Sequence, residues 1–320
     1  MTDSPSEDVQ AVLDAIAAMD VPAVREMSPE MVREVMHGAF ADAPPVEPVG
    51  RVADREIPGP AGPIPVRTYV PDGDGPHPVV VFFHGGGFVF GDLDGHDAPC
   101  RILANAADVA VVSVEYRLAP EHPFPAAVDD AYAATEWVAA NAEEVDGDAD
   151  RLAVAGDSAG GNLAAVVSLA ARDRDGPEIA HQTLFYPAVD FRADADYPSR
   201  RENAEGYFLE AADMTYFSDH YAPSWVHAAN PYLAPVEAAS HADLPPATVV
   251  TCGFDPLRDE GRAYADALDA AGTPVTHREY DDLIHGVVNM VQDPMDVEGA
   301  HRVLADAAAD LRGALHEGDA

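Results

Sequence analysis

Short unbroken apolar runs alternate with segments of helical period along most of this 320-residue chain. The run 78–83 is unbroken and apolar, as a buried strand should be; further buried strands are expected at 109–114, 152–155, 181–186, 247–252 and 275–280, with other strand candidates at 49–57 and 64–70. Helical patterns separate them at 97–107, 124–141, 160–172, 259–271 and 298–315. A strand with no polar alternation has both faces covered, as central strands of a parallel sheet do. Strands that alternate in this way with helices build βαβ units. The expected fold class is therefore α/β, a mostly parallel, doubly wound sheet of about eight strands. With 48% apolar residues the chain can bury one large core.

Two stretches depart from that rhythm. Residues 8–40 carry helical spacing through Val9, Val12, Leu13, Ile16, Met31, Val32, Val35 and Met36, interrupted at Pro22 and Pro29. A proline-rich segment from Ala43 to Pro48 then reads as a linker into the sheet. The second stretch, 190–232, is rich in aromatics and acids, among them Tyr207, Phe208, Tyr216, Phe217 and Tyr221. An insertion between core strands, on the side where strands end, is where a lid would sit. Packing onto the core accounts for most of these rings on the plainer reading.

The charge balance is lopsided: 57 Asp and Glu against 18 basic residues, all arginine, for a net charge of −39. The acids are scattered and not gathered in a tail, which suits a folded core beneath an acidic surface. Such a surface is expected of a protein that works in concentrated salt, where the Debye length falls to about 3 Å at 1 M. Nucleic acid is not an expected partner, since phosphate binding needs a basic surface. Cys100 and Cys252 lie far apart and away from any zinc spacing, so a reduced pair is expected. The first residues, Met1-Thr2-Asp3-Ser4-Pro5, lack the basic and apolar regions of a signal peptide, and no apolar run is long enough to span a membrane. A cytosolic location is the expectation.

The chemistry concentrates at a few loops. Gly156-Asp157-Ser158-Ala159-Gly160 joins the apolar run 152–155 to a helical segment, a G-x-S-x-G motif in a strand–turn–helix setting. That is the nucleophile elbow of α/β-hydrolases, in which a sharp turn lifts the serine hydroxyl clear of the sheet. Acyl transfer by serine also needs a base, an acid to orient the base, and N–H donors for the oxyanion. In this topology the chain order is Ser, then Asp or Glu, then His. His84-Gly85-Gly86-Gly87 directly follows the run 78–83, where glycines let backbone N–H groups face inward. Asp255 follows the run 247–252; Asp259 and Glu260 compete with it but open the next helix and read as dipole partners. Of 13 histidines, His285 is singled out by its place in the loop after the last strand, whereas His277 lies within that strand and His301 in the final helix. The absence of lysine excludes a P-loop, and no metal or organic cofactor is implied.

With these residues in view, the chain resembles the hormone-sensitive-lipase-like branch of α/β-hydrolase esterases, bacterial family IV. The resemblance rests on HGGGFVFGDLDGHD at 84–97, EYRLAPEHPFPAAVDD at 115–130, GDSAGGNLA at 156–164, ENAEGYFL at 202–209, DPLRDEG at 255–261 and HG at 285–286. It implies an α/β-hydrolase fold with a helical cap and hydrolysis of short- to medium-chain carboxylic esters. Ser158 would be the nucleophile, Asp255 the acid and His285 the base, with the N–H groups of Gly85, Gly86 and Ala159 as oxyanion hole. His84 would organise the glycine loop, and Arg117 and Glu121 would brace loops nearby. Phe88, Asp157, Tyr186 and Val287 are the candidate substrate-binding residues. Val287 stands where many relatives carry Phe, which would reshape the acyl side of the pocket. The cap would comprise residues 1–45 and the insertion 188–228, leaving a core of 46–187 and 229–320. The resemblance further implies an ester as small-molecule partner and admits a homodimer. An amidase or deacetylase with the same triad, and a receptor that keeps the fold without the chemistry, stay open as alternatives.

Overall fold

The computed structural model describes residues 2, 4–19, 21–40, 44–192, 194–222 and 224–316. Met1 and Asp3 of the first segment and Ala43 at the head of the expected linker lie outside them. The strands are β1 (Arg51–Gly59), β2 (Gly62–Val70), β3 (His77–Phe83), β4 (Ala110–Val114), β5 (Gly147–Asp157), β6 (His181–Phe185), β7 (Ala247–Phe254) and β8 (Val275–Ile284). The helices are α1 (Glu7–Ala18), α2 (Pro29–Phe40), α3 (Asp97–Ala107), α4 (Ala126–Ala140), α5 (Ala159–Asp173), α6 (Ser199–Glu202), α7 (Ala211–Tyr221), α8 (Arg258–Ala270) and α9 (Glu298–His316).

Among the described residues the main sheet runs β1-β2-β4-β3-β5-β6-β7-β8. β2 pairs antiparallel with both β1 and β4; the other pairings, from β4 and β3 through to β8, are parallel. The α/β class and the mostly parallel sheet expected from the apolar runs are what the chain forms. Alternate residues of each strand feed two cores. Val79, Val81, Phe83, Val112 and Val154 meet α4, α5 and α8, while Val80, Phe82, Val111 and Ala153 meet α3 and α9. Val9 and Val12 of α1 join the second core, so the N-terminal helix is packed and not pendant. Pro29 begins α2 instead of breaking it, since a first-turn proline loses no hydrogen bond. No helix among the described residues is long and apolar enough to cross a membrane.

Parallel pairing brings the carboxyl ends of the strands into one crevice, the usual site of chemistry in open α/β sheets. Phe83 pairs with Gly156, so His84 and Asp157 emerge side by side. Phe254 pairs with Ile284, which sets Asp255 beside His285. β8 runs four residues beyond the expected strand 275–280, which is not buried as expected: it lies at the sheet edge with Thr276, His277 and Glu279 exposed, and a register shift falls on β7 between Cys252 and Phe254. His285 therefore follows the strand end directly.

Candidate active site

Ser158 caps β5 with φ 56° and ψ −114°, in the left-handed half of the map that a β-carbon disfavours. Its N–H donates to Phe185 O at 2.9 Å, and its carbonyl accepts from Asn162 N at 3.0 Å. The turn is tight enough that a β-carbon on Gly160 would overlap the carbonyl oxygen of Phe83. The hydroxyl lies 2.8 Å from His285 Nε2. His285 Nδ1 lies 2.8 Å from Asp255 Oδ2. A carboxylate only accepts, so Nδ1 carries the proton and Nε2 is free to accept from the serine hydroxyl. Asp255 is fully buried, its other oxygen held by Leu257 N–H at 2.8 Å, and His285 is 5% exposed. The fold thus brings together three side chains from three loops, in an arrangement able to remove a proton from the serine.

The glycine loop differs from expectation by one residue. Gly85 N–H donates to Asp157 Oδ1 at 2.8 Å and also faces His96 Nε2 at 3.3 Å. It is therefore engaged and unavailable to an oxyanion. The N–H groups of Gly86, Gly87 and Ala159 have no acceptor among the described residues. Gly87 has φ 59°, and a β-carbon there would strike the ring of Phe217 from α7. Its N–H replaces that of Gly85 in the candidate set, a choice that spacing alone could not make.

Asp157 is corrected in the same way. Its carboxylate is buried, accepts from Gly85 and sits 3.0 Å from His96 Nε2, so it faces the loop and not the substrate. Burial works to raise its pKa, yet the His96 contact, with His84 and the Gly85 N–H behind it, holds it below the ordinary carboxylate value. Tyr186 is also buried, its ring against His285 with centroids 4.6 Å apart and its hydroxyl accepting from Val288 N–H at 3.3 Å. Val287 is wholly buried in the α3/α9 core, so it does not shape an acyl pocket by direct contact. Phe88 stacks on Tyr221 of α7 with centroids 3.7 Å apart, and serves as a seat for the insertion. These four had been candidates for substrate contact. Their places depend on which way each backbone turn points its side chain, which motif spacing does not record.

His84 acts within the loop. Its Nδ1 donates to Gly85 O at 2.7 Å, its ring stacks on Tyr116, and Tyr116 Oη donates back to His84 O at 2.7 Å. Burial and the neighbouring His96 push its imidazole down to about 4, so it is neutral near pH 7. Arg117 grips Asp130 through two nitrogens at 2.7 and 2.8 Å. Glu121 pairs with Arg33 of α2, which also donates to Val89 O at 2.8 Å and ties the N-terminal helices to the glycine loop. Glu260 is no simple dipole partner: fully buried, it accepts from Val189 and Asp190 N–H and pairs with Arg200 at 2.6 Å. Cys100 and Cys252 are both buried and free.

Phe208, Asn203 and Phe217 were not singled out for roles at the site. Phe208 has φ 67° and is 43% exposed, with its ring over Gly286; a β-carbon on Gly286 would come within 2.8 Å of it. A large exposed ring at a strained backbone is detectable only in three dimensions.

A model of a family described as alpha/beta hydrolase fold matches residues 80–289. An esterase of Mycobacterium tuberculosis, LipI, is 46% identical over 287 residues, spanning 88% of this chain and 89% of its own. An ester-hydrolase from the metagenome of Lake Arreo, solved with a bipyridine phosphonate derivative, superposes with a TM-score of 0.92 at 40% identity and covers 98% of this chain and 99% of its own. A hyperthermophilic esterase from Pyrobaculum calidifontis gives a TM-score of 0.91 at 40% identity, covering 97% of this chain and 98% of its own.

Proposed function

The chain belongs to the alpha/beta hydrolase fold family, and on that footing we propose that it is a serine carboxylesterase. The observation that carries this reading is the unbroken hydrogen-bonded line Asp255–His285–Ser158, 2.8 Å at each step. His285 takes the hydroxyl proton as Ser158 attacks the ester carbonyl, and Asp255 stabilises the imidazolium that forms. The oxyanion faces the N–H groups of Gly86, Gly87 and Ala159. His285 then protonates the leaving alcohol, and water repeats the cycle on the acyl-enzyme. Every proton and electron pair is carried by these side chains, the ester and water.

Residues 1–45 and 188–228 form the cap on this reading, over a core of 46–187 and 229–320. Support comes from Arg25, which reaches Glu210 and Asp213 across the two cap pieces at 2.7 and 3.2 Å. Short- to medium-chain acyl groups are the proposed substrates, a reading supported by Phe217 packed against Gly87 and Phe208 over Gly286, two rings beside residues next to the line. Adaptation to concentrated salt belongs to the same reading. Arginines such as Arg67, Arg262 and Arg278 are already engaged with carboxylates, which leaves the excess of acids behind the net charge of −39 to be screened by the medium.

Replacing Ser158 with Ala should abolish turnover of a p-nitrophenyl ester apart from a small residue left by the binding site. A fluorophosphonate should label wild type at Ser158. A near-wild-type rate in the Ser158→Ala variant would sink the assignment, and an anilide substrate turned over faster than the ester would favour an amidase.

A further inference from the structure

Within the insertion, at and just after α6, stand three residues whose contacts the reaction steps leave unexplained. Ser199 Oγ donates to Pro256 O at 2.8 Å, and the Glu202 carboxylate accepts from Arg258 Nη2 at 2.7 Å. Asn203 Nδ2 donates to two carbonyls, Gly253 O at 3.1 Å and Asp255 O at 3.0 Å. Asn203 is 4% exposed. An amide nitrogen carries two hydrogens, and here both go to the carbonyls that flank Phe254.

Most other holds on this loop come from its own downstream chain. Leu257 N–H meets Asp255 Oδ1, Arg258 N–H meets Asp255 O at 3.1 Å, and Arg258 Nη1 meets Gly253 O at 3.1 Å. On the far side Gly253 lies so close to Asp281 that a β-carbon would overlap its carbonyl oxygen. The acid loop is thus wedged against β8 and clamped from the other side by the insertion. Four residues beyond Asn203, Tyr207 packs on Phe254 with centroids 5.0 Å apart, and Phe208 covers Gly286.

We infer that Asn203 is a positioning residue for Asp255: through the two carbonyls it sets the direction of the carboxylate toward His285, so that triad alignment depends on the insertion being seated. The inference rests on the esterase reading of the Asp255–His285–Ser158 line. Without those donors the carbonyls of Gly253 and Asp255 keep only their bonds from Arg258, the insertion's hold on them is lost, and the loop is free to turn toward its remaining partner. The Asp255–His285 hydrogen bond is directional and degrades with that turn.

The test compares Asn203→Ala, Asn203→Asp and Asn203→Ser on a short p-nitrophenyl ester. It also follows the far-downfield proton resonance of His285 Nδ1, identified by its loss in His285→Gln. Asn203→Ala should lower kcat by about tenfold to a hundredfold with KM within roughly threefold of wild type, and should shift or broaden the resonance. Asn203→Asp keeps the size but loses the donors, so it should fall at least as far as Asn203→Ala. An unchanged kcat and resonance in Asn203→Ala, a rise in KM alone, or better activity in Asn203→Asp than in Asn203→Ala would each overturn the inference. Should Asn203→Ala fail to fold by near-UV circular dichroism, Asn203→Ser carries the same comparison. A wild-type enzyme inert toward every ester would instead remove the esterase reading, and the resonance would still decide whether Asn203 governs the Asp255–His285 bond.

Discussion

The backbone N–H of Gly85 donates to the carboxylate of Asp157 at 2.8 Å, so the residue that precedes Ser158 holds the first glycine of the loop above it. Strand β5 therefore positions Ser158 and, through the next side chain back, the glycine loop that carries the candidate N–H groups.

Removing that anchor should cost rate and not binding. Asp157→Ala is expected to lower kcat by about a hundredfold with little change in KM, similar to losing one oxyanion donor. Asp157→Asn keeps an oxygen acceptor for Gly85 and should fall between the variant and wild type. Steady-state kinetics on one ester separates the cases: a raised KM with kcat preserved would return Asp157 to direct substrate contact.

The elbow should tolerate no β-carbon at its fifth residue, Gly160. Gly160→Ala forces overlap with Phe83 O and is expected to lose about 3 kcal/mol or more in denaturant unfolding. Gly313 in α9 has nothing within 4 Å of where a β-carbon would stand. Gly313→Ala should be neutral or gain up to about 1 kcal/mol, which makes it the control.

Glu260 predicts a pH dependence of stability. Burial raises its carboxyl to about 7, against about 4.3 for an unfolded glutamate. Between those values the folded state binds more protons than the unfolded state, so stability falls as pH rises. The contribution is fully present below about pH 4.3 and gone above about pH 7, and is on the order of a few kcal/mol. Glu260→Gln removes it. The stability of wild type minus that of Glu260→Gln should decline across this window; a flat difference would contradict the assignment.

Salt should stabilise the fold through screening. With a net charge of −39, the melting temperature is expected to climb as KCl rises toward molar concentrations, and dialysis into dilute buffer should loosen the tertiary structure. Near-UV circular dichroism that is indifferent to the dialysis would count against adaptation to brine.

What could be read from the sequence is what local pattern encodes. The short, valine-rich runs at Val79–Phe83 and Ala110–Val114 point to buried strands, being too short for a helix and rich in β-branched residues. Ser158 in a G-x-S-x-G turn at a strand–helix junction, with Asp255 and then His285 after later strands, marks the candidate line because the topology admits that chain order. Such signals live within a few residues of one another, or in their order along the chain. The tertiary structure decided what depends on direction. It assigned Gly85 N–H to Asp157 and left Gly86 and Gly87 open, turned Tyr186 and Val287 into the protein, buried Glu260 against Arg200, and laid Asn203 across the Asp255 loop. Each of these joins groups from separate segments whose orientation exists only after the sheet has closed and the insertion has packed onto it. A donor engaged within the protein is not free for a ligand, and only the folded chain determines which donors are engaged.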